Sequence, residues 1–489
     1  MKAHFRIGKL FGYPGITAIS VSVYLAASKF TYRMGFPLDD AWIHQTYARN
    51  LGLYGDWAYL PGQPSAGSTA PLWSGLLAVG HYLGLGPYLW TYLLGWMFFF
   101  SMVLLGVNLF RQIDPVHERW GYLAGVLLVF EWHLVWAAVS GMETILFTCL
   151  VLVVFGFLLL QKKRWFLLGI VVGLSVYVRP DGLTLLLPVL FVLMLERSHW
   201  RMKIYPALQT LIGLGLLFGP FLLLNVTLSG SYWPNTFYAK QAEYSIELME
   251  PLFFRLVEQF QLPLVGVGIA LLPGFIHFVY EAIKRQNWVR LSMAIWAIGY
   301  LVLYALRLPV TYQHGRYAIP MMALFFICGF GGTLTWIRLN SPALIKRILS
   351  RSLVISGAVI LIMFWLLGAR AYARDVAIIE SEMVDTARWI AANTEEGAVV
   401  AAHDIGALGY FGERLLVDLA GLVSPEVIPF IRDEGLLAEY LHEQDAGYLV
   451  TFPNWYPFLV RDLIPIFRTN SPFAPQQGGE NMTVYRWGT

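Results

Sequence analysis

The sequence predicts an α-helical protein that crosses a membrane about eleven times and ends in a small α/β domain. Three observations lead there. Of 489 residues, 57% are hydrophobic and 13% charged, whereas an ordinary soluble domain carries about a quarter charged residues. The charges are bunched between long uncharged runs, as a bilayer requires, instead of recurring at every helical turn. After Arg370 the composition becomes that of a water-soluble module.

Leu10 to Ser28 holds no charge and, at about 1.5 Å per residue, has roughly the length needed to cross. Lys2, Arg6 and Lys9 precede it and point to a cytoplasmic start. A cleavable signal peptide is the competing reading, since Ala26, Ala27 and Ser28 end the run. Further spans are expected at 87–110, 119–139, 143–160, 165–178, 183–195, 204–228, 259–281, 291–308, 317–337 and 352–369. Pro71 to Gly84 is apolar but short, and reads as a re-entrant or juxtamembrane helix.

Basic clusters mark every second connection: Arg111 with Arg119; Lys162, Lys163 and Arg164; Arg197, Arg201 and Lys203; Lys284, Arg285 and Arg290; Lys346, Arg347 and Arg351. The positive-inside rule then puts the N-terminus in the cytoplasm and the C-terminal domain outside it. Residues 1–369 form the membrane module and 370–489 the α/β domain, with a helix over Glu380–Asn393 and strands over 398–402, 415–419, 447–451 and 482–486.

The net charge of +3 lies beside the apolar spans and signals orientation, not nucleic-acid binding. Cys149 and Cys328 both lie within apolar runs, so no disulfide framework is on offer. The run Gly329-Phe330-Gly331-Gly332 falls inside a span and suits helix packing better than phosphate binding.

The first loop carries Asp39-Asp40-Ala41-Trp42-Ile43-His44, a helix opened by two acids. Asp40, His44 and Tyr47 share one face of that helix, and Asp39 lies at its mouth. Capping accounts for the acids as well as catalysis does. Glu143 either caps the span that begins at Thr144 or lines a site. Arg179 falls between two short apolar runs, with Asp181 as a structural partner or a phosphate as a ligand. Lys240 and Arg316 lie near span ends, where solvation or snorkelling also explains them. Glu131 and His133 are two apart inside one expected span, and a continuous helix cannot bring them together.

The acid pair resembles that of the GT-C superfamily of polyprenyl-phosphate-sugar-dependent glycosyltransferases. Ser140-Gly141-Met142-Glu143-Thr144, Arg179-Pro180-Asp181-Gly182, Pro234–Lys240, His314-Gly315-Arg316-Tyr317 and Asp404–Gly409 resemble, in order, landmarks of its arabinofuranosyltransferase and lipid A aminoarabinose transferase branches. The protein mannosyltransferases are a further related branch. Where the aminoarabinose branch has a Lys-Pro-Pro-like entry to its second helix, this chain has Thr69-Ala70-Pro71, so sugar and acceptor stay open.

The resemblance implies an inverting transfer from a polyprenyl-phospho-sugar to a cell-envelope glycan, lipid or protein. Asp39 is then the base, and Asp40 orients it or the acceptor. Cations must receive the departing phosphate; Arg316, Arg179 and Lys240 are candidates, with His314 and Tyr317 as further donors and His44 as a positioning group. No cofactor is expected; a weakly held divalent ion at the acid pair is the alternative. Two other functions compete: a transporter or flippase of lipid-linked sugars, and a scaffold without chemistry. Transport predicts ionisable groups in the middle of several spans, whereas here they gather at span ends on one side.

Overall fold

A computed structural model describes residues 12–196, 199–337 and 341–488. Lys2, Arg6, Lys9, the start of the first span and Arg197 lie outside the described residues.

Four described helices are long and apolar enough to cross a bilayer: Pro87–Ile113, Trp200–Ser229, Trp288–Arg307 and the helix that begins at Leu344. Two bent pairs add to these if each is one span, Pro115–Phe130 with Trp132–Val139 (57°) and Leu252–Leu264 with Gly268–Lys284 (104°). Thr144–Leu159, Trp165–Val176, Pro180–Leu195 and Ile319–Leu334 are apolar but shorter. The expected spans fall on helical residues, those at 119–139 and 259–281 on the two bent pairs, but 16 residues rise only about 24 Å, less than the roughly 30 Å hydrocarbon core. Pro71–Tyr82 has 12 residues, too few to cross, and lies against the helix Asp40–Tyr54.

The bend at Glu131 resolves the pair for which a continuous helix had no place. Glu131 takes an extended conformation, and its carboxylate caps the following helix by accepting from the Leu134 N–H at 3.1 Å. Its other oxygen meets His133 Nδ1 at 2.8 Å, with both residues buried. The expected span 259–281 breaks too, around Gly266 at φ +97°, and the freed Val265 carbonyl accepts from Trp132 Nε1 at 3.2 Å. The glycines at 329 and 332 do serve packing: a Cβ on Gly332 would collide with the Gly274 carbonyl of the neighbouring helix.

The two-stranded hairpin of the first loop is β1 (Ala58–Leu60) with β2 (Gln63–Pro64). The C-terminal sheet comprises β3 (Val399–Ala402), β4 (Leu415–Asp418), β5 (Tyr448–Thr451), β6 (Pro465–Arg468) and β7 (Thr483–Arg486). Their order is β4-β3-β5-β7-β6. Pairs β3/β4 and β3/β5 are parallel, β5/β7 and β6/β7 antiparallel. Four strands lie where expected; β6 went unread because a proline opens it, which suits an edge strand. Residue 370 is no break in the chain, since the helix Leu344–Ile379 passes through it into a π-turn at Glu380–Val384 and a helix at Asp385–Asn393. One face of the sheet, with Ala402, Leu416, Tyr448 and Val484, joins a single apolar core with the membrane helices.

Candidate active site

A cavity of about 570 Å³ opens between the first loop, the ends of several apolar helices and the helix Asn235–Glu243. Asp40, His44, Glu143, Arg179, Lys240, Arg316 and Tyr317 line it. Seven of the nine residues singled out by sequence thus meet in one place, although up to 277 positions separate them.

Asp40 is the centre of charge. Its Oδ2 accepts from Lys240 Nζ at 3.0 Å and lies 2.6 Å from Arg316 Nη2. Burial alone would raise the Asp40 carboxyl, but the two cations hold it well below the usual carboxylate range. Burial works against the Lys240 ammonium as well, and Asp40 overcomes it and raises that group. Both cations also donate to Tyr317 Oη, at 3.2 and 3.0 Å. Lys240 is therefore no solvated loop lysine.

Arg316 is 7% exposed, and its Nε and Nη1 are buried without a hydrogen-bond partner. Such donors are costly to leave unpaired. Glu143, at 5% exposure, likewise has a buried, unpartnered Oε2. It makes no capping bond to the helix Thr144–Leu159. Its carboxylate instead lies 3.6 Å from both His44 Nε2 and Arg179 Nη1. His44 is fixed from its other side by Ser74 Oγ at 3.0 Å, and burial lowers its proton affinity.

Arg179 follows its structural reading. Its Nε binds Asp181 Oδ1 at 3.1 Å and its Nη2 binds Tyr304 Oη at 2.9 Å, while Tyr300 and Tyr304 both donate to Asp181. It shapes the wall of the cavity, with its Nε and Nη2 engaged by protein partners.

Two expected residues point elsewhere. His314, at φ +57°, turns away from the cavity to Asp375 Oδ2 at 2.8 Å, which also accepts from Trp136 Nε1. It is not available to a ligand beside Arg316. Asp39 does not line the cavity either. Nor does it cap its own helix; its two oxygens accept the Gly406 and Ala407 N–H groups at 2.6 and 2.8 Å. Burial, reinforced by the charge of Asp404, raises its proton affinity. A Cβ at 406 would strike the Asp39 carbonyl, so glycine is needed for this approach.

Sequence reasoning missed the groups that surround these. Tyr304, Arg307, Trp233 and Gln241 line the cavity; the first two belong to the last turn of the helix Trp288–Arg307 and the other two follow the helix Trp200–Ser229. His403 binds Glu243 Oε1 at 3.2 Å and Tyr456 Oη at 2.8 Å, joining the C-terminal domain to the cavity-bearing helix. Among the described residues no cluster of three or more His, Cys, Asp or Glu could hold a metal ion.

Residues 372–485 match the model of a domain of unknown function, DUF8728. No curated protein matches the chain in sequence. Solved structures do match in fold. ArnT from Cupriavidus metallidurans bound to undecaprenyl phosphate superposes with a TM-score of 0.59 at 14% identity, over 96% of this chain and 97% of that one. The Archaeoglobus fulgidus oligosaccharyltransferase in its apo form gives 0.62 at 12% identity, over 92% and 70%. The archaeal oligosaccharyltransferase AglB of the same organism, in complex with an inhibitory peptide and a dolichol-phosphate, gives 0.61 at 12%, over 97% and 74%. The fold of this chain is that of GT-C glycosyltransferases.

Proposed function

From a fold held in common with GT-C glycosyltransferases, we propose that this membrane protein transfers a sugar from a polyprenyl-phosphate carrier to an acceptor hydroxyl. The observation that carries the reading is the buried Arg316, whose Nε and Nη1 face no protein partner beside the Asp40–Lys240 pair. A fixed cationic donor set next to an ionised carboxylate is what a displacement at an anomeric carbon with a phosphate leaving group requires. ArnT and AglB have structures with undecaprenyl phosphate and a dolichol-phosphate, which supports a lipid-linked donor here.

In the proposed reaction the acceptor hydroxyl oxygen attacks C1 of the sugar as the bond from C1 to the phosphate oxygen breaks. One displacement inverts the anomeric centre. The phosphate leaves with its electron pair and needs no proton, since its second pKa is near 6; Arg316 and Lys240 receive its charge. The hydroxyl proton goes to a first-loop carboxylate. The sequence expectation gives that task to Asp39. Geometry supports Asp40 instead, because Asp40 faces the cavity while both oxygens of Asp39 are engaged by the C-terminal domain. Asp40 paired with two cations is a weak base. A donor phosphate that draws Lys240 and Arg316 toward itself restores its basicity, so the base becomes competent only once the donor is bound. No cofactor enters these steps.

On this reading the cavity opens on the extracytoplasmic side of the cell membrane. The sugar, hexose or pentose, and the acceptor are set by contacts that the charged groups do not specify. The test gives purified protein either polyprenyl-phospho-sugars or the matching nucleotide sugars. Turnover of the lipid-linked donor, reduced about one to two orders of magnitude by Arg316→Ala and partly recovered by Arg316→Lys, is expected. Transfer from the nucleotide sugar alone, with Arg316→Ala unaffected, refutes the proposal.

A further inference from the structure

Directly before Arg316 lies the one run of three consecutive left-handed residues among the described residues: Gln313, His314 and Gly315, at φ +53°, +57° and +64°. Two of the three carry a Cβ, which that conformation disfavours. Within the turn the backbone contributes one hydrogen bond, from the Gly315 N–H to the Thr311 carbonyl at 3.2 Å.

Side chains do the rest, and alternate residues are tied to three different parts of the molecule. Tyr312 bonds through its hydroxyl to Tyr244 Oη, just beyond the helix that carries Lys240. His314 Nε2 meets Asp375 Oδ2 at 2.8 Å. Arg316 Nη2 reaches Asp40 Oδ2 at 2.6 Å. Between the last two, a Cβ at 315 would lie 2.8 Å from the Leu262 side chain, so that position needs glycine for space as well as for conformation.

The tether at His314 ends on a fixed support. Asp375 belongs to the helix Leu344–Ile379, and three residues earlier Tyr372 donates to the Gly35 and Val139 carbonyls, both at 3.1 Å. Asp375 Oδ2 also accepts from Trp136 Nε1 at 2.9 Å, so one carboxylate oxygen joins the turn to the helix Trp132–Val139. The imidazole stands edge-on to Trp132 and Trp136, with ring centroids 5.2 and 5.4 Å from its own. None of these four side chains lines the cavity, and the reaction above uses none of them. Yet residue 314 is two positions from Arg316, at most roughly 7 Å along the chain. Relaxation of 313 and 314 to right-handed backbone would send the chain out of the turn on another course, and the Arg316 guanidinium would lose its place beside Asp40 and Lys240.

We propose that His314 and Asp375 are positioning residues for the donor phosphate: their hydrogen bond keeps the turn left-handed and so presets Arg316 where the phosphate charge develops. The proposal rests on the transferase reading and deepens it, since Asp375 registers the phosphate-receiving group to the helix that continues into the C-terminal domain. The bound donor is a phosphodiester with one negative charge, and the departing carrier phosphate is a monoester approaching two. A preset Arg316 therefore favours the departing group over the bound donor. Misplacing it acts on kcat, and on affinity for the free carrier phosphate, more than on donor KM.

The experiment uses the full chain in detergent, with polyprenyl-phospho-sugar for kcat and KM and polyprenyl phosphate alone as the binding probe. Asp375→Ala removes the shared acceptor; His314→Asn keeps a residue that tolerates left-handed backbone but is too short to reach Asp375. Each should lower kcat and polyprenyl phosphate affinity about tenfold or more, with donor KM within about threefold. Asp375→Asn keeps an oxygen for both donors and should recover most of the activity. In an Arg316→Ala background, Asp375→Ala should cost less than about twofold further, whereas general damage to the fold would lower activity again. Melting temperatures identify any variant that has failed to fold, and His314→Asn and Asp375→Asn then carry the comparison. An equal loss in the Arg316→Ala background, or wild-type kcat in folded Asp375→Ala protein, overturns the proposal. A wild type that turns over no lipid-linked donor refutes the transferase reading separately. The binding probe still tests the positioning role, which equal affinity of wild type and Asp375→Ala for polyprenyl phosphate overturns.

Discussion

Two adjacent aspartates end in opposite environments because the helix begins between them. Asp40 is its first residue and faces two cations; Asp39 precedes it and faces the backbone of the C-terminal domain. Asp40→Asn removes the cavity-facing charge and is expected to lower turnover by about two to four orders of magnitude. Asp39→Asn keeps one amide oxygen for Gly406 or Ala407 and should cost far less. Single-turnover transfer by the two variants decides it, and the opposite ranking returns the base to Asp39. A second prediction concerns the Asp39–Asp404 pair. Burial comes first among the causes that raise both groups; the charge of Asp404 adds to it at Asp39, and for Asp404 the result is a pKa of about 6. Folded values above unfolded ones mean that the native state keeps protons the unfolded chain has released, so this contribution to stability is full in acid and lost as pH rises. Asp404→Asn carries no such charge. Its melting temperature should therefore gain on the wild type between roughly pH 4.5 and 8, and a constant difference across that range would refute the coupling.

Helices were legible where their ends are marked by charge and obscure where they break inside apolar sequence. The runs at 87–110 and 204–228 became Pro87–Ile113 and Trp200–Ser229, with Arg111 in the last turn of the first and Gly230, at φ +70°, ending the second. Residues 119–139 read as one span because hydropathy has no term for a bend. Glu131 and His133 cannot meet on a continuous helix, and that contradiction was itself the sign of a break. The bend depends on Glu131 as cap and on His133 as its buried partner. Glu131→Ala leaves both the Leu134 N–H and the imidazole without their partner, which costs on the order of 2–4 kcal/mol. Glu131→Gln keeps an acceptor and should lose less than half of that. Thermal unfolding in detergent separates the two, and equal losses would mean that charge, not capping, is what the site needs. The candidate site was more legible than the bends, since Asp40, Lys240 and Arg316 each follow or precede an apolar run. Their mutual pairing, and the turning away of His314, depend on backbone conformation that no residue spacing encodes.

At the scale of the molecule, the C-terminal domain is not an appendage that can be cut off at residue 370. The helix from Leu344 passes through that position, the sheet shares a core with the membrane helices, and Arg33 joins Glu380 and Asp385 at 2.8 and 2.7 Å. Arg49 adds hydrogen bonds to the Tyr410 and Gly409 carbonyls at 2.7 and 3.2 Å. Truncation after Arg374 would expose the apolar face of the sheet's partners and confuse lost folding with lost chemistry. Gly406→Ala asks the question more finely. The residue makes no contact with a ligand in the proposed reaction, and touches the acid pair only at Asp39, through its carbonyl and its Oδ2. An added methyl there, 2.1 Å from the Asp39 carbonyl oxygen, must push the 404–407 turn away from the start of the Asp40–Tyr54 helix by about an ångström, which moves Asp40 relative to Lys240 and Arg316. Displacements of that size at a reacting group cost heavily in rate. We expect Gly406→Ala to retain its melting temperature within a few degrees and to lose about tenfold or more in transfer. Donor hydrolysis should fall in step, because the shift acts on Asp40 itself. Full activity in a folded Gly406→Ala protein would mean that the domain and the acid pair are mechanically independent.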